Sequence, residues 1–358
     1  EVQLLPQHPK DQENKPLSVK GTMSYDKNKD SFTIKQSSLL DINSLSCPDF
    51  SVFNFHVYLK RNLILPLYTS RGCPYRCSFC NEWNLVNTFR QLKPERVIEW
   101  MGYLNRKHGT FSFLFTDSLL NASLSWLEEF SDRLLKGNLN FQWRGYFRAN
   151  INKKLAQKLK KSGLSIAFIG TETFSQHLLD SMNKKRTSRD NLESIEAFIS
   201  CGVPLELSSI IGYPAESYKD FQKRRDIYFD LLKRYSNIIF NNEPFRLRPS
   251  TEIYENLDKF GLSVKMWNKK IINMIPEVSD IVRHIPMSVH ATPTAREIRE
   301  RINIMHIAFK DKFLESNFVS RYNKEFSKKA LDFIKPSYKI MPNNQNVYII
   351  PSERQGAL

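Results

Sequence analysis

Three features of the sequence predict an α/β fold: a partial (β/α)6 TIM-like barrel, with an N-terminal connector before it and a mainly helical extension behind it. From Asn62 onward, strand-like runs alternate with amphipathic helical stretches, the pattern of parallel strands joined by crossover helices. Six such units occur, fewer than the eight that close a full barrel. Polar residues fall where the strands stop, the end at which barrels of parallel strands place their active sites.

In chain order, residues 1–45 are polar and read as a connector or the tail of a preceding domain. Ser18 to Tyr25 and Ser31 to Gln36 flank the turn-rich Asp26 to Asp30 and form a hairpin pattern. Leu39 to Phe50 lacks a sustained period and reads as an ordered lead-in. The barrel spans 46–245. Its strand candidates are Leu63 to Tyr68, Thr110 to Thr116, Asn140 to Phe147, Ser165 to Gly170, Pro204 to Ile211 and Asn237 to Phe240. Between them Pro94 opens a helix at a first-turn position with Val97, Met101 and Leu104 on one side. Leu124, Leu127, Phe130 and Leu134 make the next stripe. A helix through Leu155 and Leu159 stops at Gly163, and one through Leu192, Ile195 and Ile199 stops at Gly202. Phe221, Tyr228, Leu231 and Tyr235 mark the last. Residues 246–358 are broken by prolines, then carry a helix from Thr294 to about Phe318 striped with Ile298, Ile302, Met305, Phe309 and Phe313. Asn346 to Ile350 reads as a short strand. Tyr213, Glu243, Arg246 and Arg248 are expected at the cavity mouth.

Composition narrows the function classes. The chain has 358 residues, five cysteines and a formal net charge of +16. Its lysines and arginines recur in small groups beside helices, such as Lys158/Lys160/Lys161 and Lys223/Arg224/Arg225, which reads as solvated helix faces rather than a nucleic-acid surface. No apolar run is long enough for a bilayer, and the first residues lack the pattern of a signal peptide. A reducing, cytoplasmic setting is expected, which suits free thiols.

The chemistry centres on Thr69 to Trp83, where Cys73, Cys77 and Cys80 lie within one loop. Three thiolates fall one short of the usual four-cysteine quota of an iron–sulfur cluster, leaving one iron open for a substrate or second cofactor. Zinc would call for a fourth ligand, for which only His108 is near in sequence, and a disulfide among three would leave an odd thiol.

The spacing Cys-x3-Cys-x2-Cys, with Phe79 before the last cysteine, resembles the radical S-adenosylmethionine (SAM) superfamily, whose shared core is a six-unit partial barrel. The resemblance covers roughly residues 36–250. It implies a [4Fe-4S] cluster on Cys73, Cys77 and Cys80, and SAM chelated on the open iron. It implies further that Asp117, at the end of the second strand, takes the SAM amino group and Arg148, after the third, the carboxylate. Glu172, in Gly170-Thr171-Glu172-Thr173-Phe174-Ser175, matches the family's ribose motif. Ile211 and Gly212, in Ser208 to Glu216, match the adenine motif, although Ser208 stands where the family has glycine. Left to themselves, Asp117 and Glu172 also read as helix-capping residues and Arg148 as a salt-bridge partner.

Leu40 to Phe50 resembles the segment ahead of the cluster strand in the branch that carries an N-terminal cobalamin-binding domain. No Asp-x-His-x-x-Gly motif is present, so the chain is expected to be either a piece that starts after such a domain or a relative without one. The resemblance implies cobalamin-assisted methylation of an unactivated carbon, with dehydrogenation, cyclisation or thiomethylation as alternatives. Its partners are expected to be a small-molecule or peptide substrate and an electron donor such as flavodoxin or ferredoxin. The reading from another class is a non-catalytic iron–sulfur or zinc protein that binds nucleic acid.

Overall fold

The computed structural model describes residues 22–26, 31–35, 39–53, 64–86, 88–265 and 288–315. The strand expected at 346–350 lies outside them. The chain divides into two compact units, Glu1–Ser46 and Cys47–Leu358. The first contains an antiparallel hairpin of β1 (Thr22–Asp26) and β2 (Ser31–Lys35). A single 3-10 turn follows at Ile42–Ser44, where the Asp41 carboxylate accepts from the Asn43 amide at 3.0 Å.

The second unit is built on a parallel sheet. Its strands are β3 (Ile64–Leu67), β6 (Ser112–Phe115), β7 (Gln142–Phe147), β8 (Leu164–Glu172), β9 (Leu205–Ile211) and β10 (Ile238–Pro244). They lie in sequence order from β3 at one edge to β10 at the other, and the described strands do not close into a barrel. All six expected strands are present. β10 runs four residues past its expected end, into Asn241, Asn242 and Pro244. These are poor strand formers, tolerated here because β10 is an edge strand paired only with β9. A two-residue ladder, β4 (Ser70–Arg71) with β5 (Arg90–Gln91), was not legible in the sequence.

Crossover helices cover one sheet face. α1 (Glu82–Leu85) is a single turn in the cysteine loop. Pro94 opens α2 (Pro94–His108) at its first position, where a missing N–H costs nothing. Ser123 caps α3 (Leu124–Lys136) and Asn152 caps α4 (Lys153–Lys161), each through its side-chain oxygen. After α4 the chain turns at Gly163, whose φ is +104° and where a Cβ would sit 1.9 Å from the Phe141 carbonyl oxygen, so no other residue fits. α5 (Gln176–Ser181) is short, while α6 (Ser188–Ser200) and α7 (Tyr218–Arg234) each begin with a reciprocal capping box.

The core forms where this face meets the helices. Phe130 of α3 packs against Phe115 of β6 at 5.7 Å and Trp143 of β7 at 5.5 Å between centroids, and Phe147 meets Phe198 of α6 at 5.4 Å. The buried indole N–H of Trp143 donates to Ser162 O at 3.0 Å, which satisfies its one polar atom. Alternate residues on the opposite face, among them Tyr146, Phe168 and Glu206, stay half-buried or exposed.

Beyond β10 come α8 (Glu252–Glu255), a 3-10 turn at Asp258–Phe260, an antiparallel pair of β11 (Ser263–Lys265) and β12 (Ser288–His290), and α9 (Ala295–Glu315). Thr294 and Glu297 form a capping box at the start of α9, as an N-terminal signal requires. Among the described residues no helix is long and apolar enough to cross a membrane.

Candidate functional site

The cysteine loop leaves the end of β3 and is pinched at its base. The β4–β5 ladder joins its two arms, and the Leu92 amide donates to Thr69 O at 2.7 Å. Asp117, just past β6, braces the outgoing arm. Its carboxylate accepts from the Thr69 amide on both oxygens at 3.0 Å, from Thr69 Oγ1 at 2.9 Å and from Ser70 Oγ. Burial pushes the Asp117 carboxyl above its ordinary range, and these donors oppose that shift. The acceptors expected to meet an ammonium group are thus directed at the loop itself.

All three thiols of the loop are free, Cys77 buried and Cys73 and Cys80 half-buried. Burial pushes the Cys73 and Cys80 thiols up, and the neighbouring cysteines add to the shift. Among the described residues, no three His, Cys, Asp or Glu side chains converge for a single ion. Thiolates that each take a separate iron of a cluster need no such convergence.

Ser78, between two of the cysteines, is tied down by every polar group it has. Its amide donates to Met182 O at 3.0 Å, its carbonyl accepts from the Ile253 amide at 3.1 Å, and its hydroxyl reaches Ser181 O at 3.0 Å and Tyr213 Oη at 2.9 Å. One loop residue thereby ties together α5, the turn after β9 and α8. No sequence signal marked it, because its partners lie more than a hundred positions away.

Arg148 follows β7 and is 4% exposed. Its backbone is held in both directions by Asn121, at 2.8 Å each way. Its guanidinium lies 3.9 Å over the Tyr75 ring, and Nη1 reaches Cys77 Sγ at 3.8 Å. Nε and Nη2 are buried and find no partner among the described residues. Two buried guanidinium nitrogens without acceptors are costly unless a ligand uses them.

Glu172 ends β8 at a register shift in its pairing with β9, and its φ of +58° lies in the left-handed region. Such a conformation costs energy for a residue with a Cβ and persists only where neighbours enforce it. Lys184, after α5, supplies one constraint. Its ammonium pairs with Glu172 Oε1 at 2.8 Å, both side chains being about nine-tenths buried, and lies 5.9 Å from the Phe79 ring centroid. Phe79 itself is half-buried against the cluster of Leu178, Met182, Tyr213 and Ile253. Lys184 was not singled out from the sequence, although it ends the run Leu178 to Lys184 that follows the ribose-like motif.

Ile211 is fully buried, and its carbonyl accepts from the Phe245 amide at 2.8 Å. Gly212 has a φ of +79°, and a Cβ there would lie 2.2 Å from Ile298 Cγ1. The close approach that this glycine permits is made by α9. Tyr213, expected at the cavity mouth, is instead fully buried, its ring edge-on to Phe245 at 5.6 Å. The hydroxyl draws it inward by pairing with the cysteine loop. Glu243 and Arg246 are exposed and pair with each other at 3.0 Å.

The structure therefore brings Cys73, Cys77, Cys80, Phe79, Arg148 and Glu172 into one neighbourhood through Tyr75 and Lys184. It connects Ile211 and Gly212 to that neighbourhood through Tyr213. Asp117 lies at the loop's base. A groove of about 750 Å³ between α6 and α7, lined by Leu192, Glu196, Lys223, Ile227 and Arg234, involves none of these residues.

The chain is similar to several known proteins. Residues 67–226 match the family model described as the Radical SAM superfamily. An anaerobic magnesium-protoporphyrin IX monomethyl ester cyclase of Cereibacter sphaeroides is 24% identical over 251 residues, 66% of this chain and 41% of that one. A bacteriochlorophyllide d C-12(1)-methyltransferase of Chlorobaculum tepidum is 26% identical over 231 residues, 62% of this chain and 49% of that one. The fold is similar to that of TsrM from Kitasatospora setae, a radical S-adenosylmethionine methyltransferase solved with tryptophan substrate and a SAM analogue bound. The TM-score is 0.55 at 17% identity, over 72% of this chain and 52% of that one. The chain spans less than half the length of the two curated relatives named here.

Proposed function

Residues 67–226 are a radical SAM domain, and on that premise we propose that the chain carries out cobalamin-assisted methylation of an unactivated carbon. Cys73, Cys77 and Cys80 would hold three irons of a [4Fe-4S] cluster and leave the fourth to SAM. When bound, cluster and SAM supply a 5'-deoxyadenosyl radical, and cobalamin supplies the methyl group.

The chain's own residues bind and orient. Arg148, with two nitrogens unspent beside Cys77, is placed to make a bidentate pair with the SAM carboxylate. Glu172 takes the ribose hydroxyls, held in reach by Lys184. Ile211 and Gly212 form the adenine side, and Phe79 covers the flank of the last cysteine. Asp117 keeps the loop in register by accepting from Thr69 and Ser70. The residues from 246 onward are the substrate-side region. A one-electron donor of the flavodoxin or ferredoxin kind and a cytoplasmic setting complete the reading.

The observation that carries this proposal is the buried Arg148 guanidinium with unspent donors, set beside three free thiols. The donor set fits a cluster with an anionic ligand at its open side. Methylation is supported by the likeness to the bacteriochlorophyllide methyltransferase. The likeness to the cyclase over two thirds of the chain favours a second reading, radical cyclisation. SAM carrying an isotopically labelled methyl group separates them, since only methylation moves the label into product.

Anaerobic reconstitution tests the site itself. The expected result is about four irons per chain and an electron paramagnetic signal of the reduced cluster that shifts when SAM is added. Cys77→Ala should abolish both. One zinc per chain with no iron would overturn the proposal in favour of a metal-binding module without this chemistry.

A further inference from the structure

We infer that Arg301 and Ile298 of α9 are positioning residues for the turn after β9, and that α9 thereby sets the affinity of the SAM site. The inference rests on the reading of Ile211 and Gly212 as the adenine side of that site.

The turn, residues 212–217, is held in a form it does not favour by itself. Gly212 and Ala215 have φ of +79° and +66°, and for alanine the left-handed region is a strained one. Glu216, with its side chain fully buried, organises the turn from within. Its Oε2 accepts from the Gly212 amide at 2.8 Å, and its Oε1 accepts from Arg224 Nη2 of α7 at 2.5 Å.

The segment that leads into α9 supplies the rest of the grip. The Ala215 amide donates to Thr292 O at 2.8 Å. Ile298 lies against Gly212 closely enough that no side chain could come between them. Arg301 Nη1 donates to Glu216 Oε2 at 2.8 Å and to the Glu216 carbonyl at 3.0 Å. The Arg301 guanidinium is 4% exposed and flanked by Tyr218 and Phe221, at 6.0 and 5.8 Å from their ring centroids. Backbone, apolar and ionic contacts therefore converge on one turn from an element 85 residues further along the chain.

A ligand that needs the turn in this form binds in proportion to the fraction of molecules already holding it. Removing Arg301 leaves Glu216 paired one to one with Arg224, so no buried charge is left without its partner while the turn loses its outer clamp. Loss of a hydrogen bond between two charged groups corresponds to about tenfold or more in the population of the held form.

The test compares wild type, Arg301→Met, Arg301→Lys and Ile298→Ala, each reconstituted anaerobically. SAM binding is measured by equilibrium dialysis and amide hydrogen exchange across 210–217 is followed without SAM. Arg301→Met is expected to weaken SAM binding about tenfold and speed exchange in the turn, with unchanged iron content. Arg301→Lys should recover part of both, and Ile298→Ala should shift both in the same direction by less. SAM affinity within about twofold of wild type, with turn exchange unaltered, overturns the inference and leaves the reading of the site intact. A wild-type protein that holds its cluster and binds no SAM overturns both. If Arg301→Met does not fold, Arg301→Lys and Ile298→Ala decide the matter by the same two readouts.

Discussion

The cysteine loop and the turn after β9 follow strands β3 and β9, which three other strands separate in the sheet, and they solve different problems. Around the loop, polar groups are left unspent: three thiols are free, and Arg148 buries two nitrogens without an acceptor among the described residues. In the turn, both Glu216 oxygens, the Gly212 amide and the Ala215 amide are all engaged. Unpartnered guanidinium nitrogens occur in the turn as well, at Arg224 Nε and Nη1 and Arg301 Nε, but there each cation already pairs with the buried Glu216, whereas Arg148 has no carboxylate partner among the described residues and reaches a free thiol. A buried cation without its anion marks space that an anionic ligand completes, and a paired one marks scaffold. The comparison assigns ligand contact to the first region and alignment to the second.

Breaking the turn should have the largest effect. Glu216→Gln removes the anion that Arg224 and Arg301 share, leaving two cations buried with side-chain exposures of 0% and 5%. A loss of about 3–5 kcal/mol is expected, measured by denaturant unfolding. A loss under about 1 kcal/mol, the size of a surface ion pair, would show that the turn is not held by its charges.

The loop should respond in the reverse sense. Arg148→Met keeps much of the packing over Tyr75 and removes two unpaired donors, so the protein without cofactors should lose little stability or gain some. SAM binding should nevertheless weaken by about 10- to 100-fold, as the loss of charge-assisted hydrogen bonds predicts. A variant that unfolds readily yet binds SAM as well as wild type would exchange the roles given to the two regions.

How legible these regions were in the sequence follows from the range of their contacts. The strands, the Pro94 start, the Gly163 and Gly202 stops and the cysteine spacing are local patterns, set by side-chain period and backbone geometry, and the structure has each element. Ser78, Lys184 and Arg301 carry no such pattern. Ser78 meets Tyr213 at a separation of 135 residues and Arg301 meets Glu216 at 85, and only the closed fold makes those pairs. Nothing in the residues around Tyr213, expected at the cavity mouth, marks it as a buried side chain. Its hydroxyl has partners inside, so the whole side chain is buried. β8 continues two residues past its expected end because its register shift carries Glu172 onward, and the preceding residues give no sign of that.

Tyr213 joins the two regions, which allows a finer test. Tyr213→Phe removes one hydroxyl that meets Ser78 Oγ at 2.9 Å and Ser181 O at 3.1 Å and leaves the ring on Phe245. The cost should be about 1 kcal/mol, with faster proteolysis within the cysteine loop as a second readout. If the loop is as resistant as in wild type, the Tyr213 hydroxyl is not what joins the two regions.

The smallest effect concerns pH and reaches the turn through α9. Hydrogen bonds from the Thr294 amide and hydroxyl hold the Glu297 carboxyl below the ordinary glutamate value of 4.5. A carboxylate with a lowered folded-state pKa contributes stability that is fully present above the unfolded value and is lost as the pH falls through the folded one. The start of α9 should therefore loosen only below about pH 4.5, and hydrogen exchange at 210–217, corrected for the intrinsic rate, should rise over that interval. Glu297→Gln should remove much of that pH dependence while leaving exchange at neutral pH close to wild type, because the glutamine oxygen still accepts from Thr294. Equal pH dependence in both proteins would show that the titrating group lies elsewhere and that the cap of α9 has no influence on the turn.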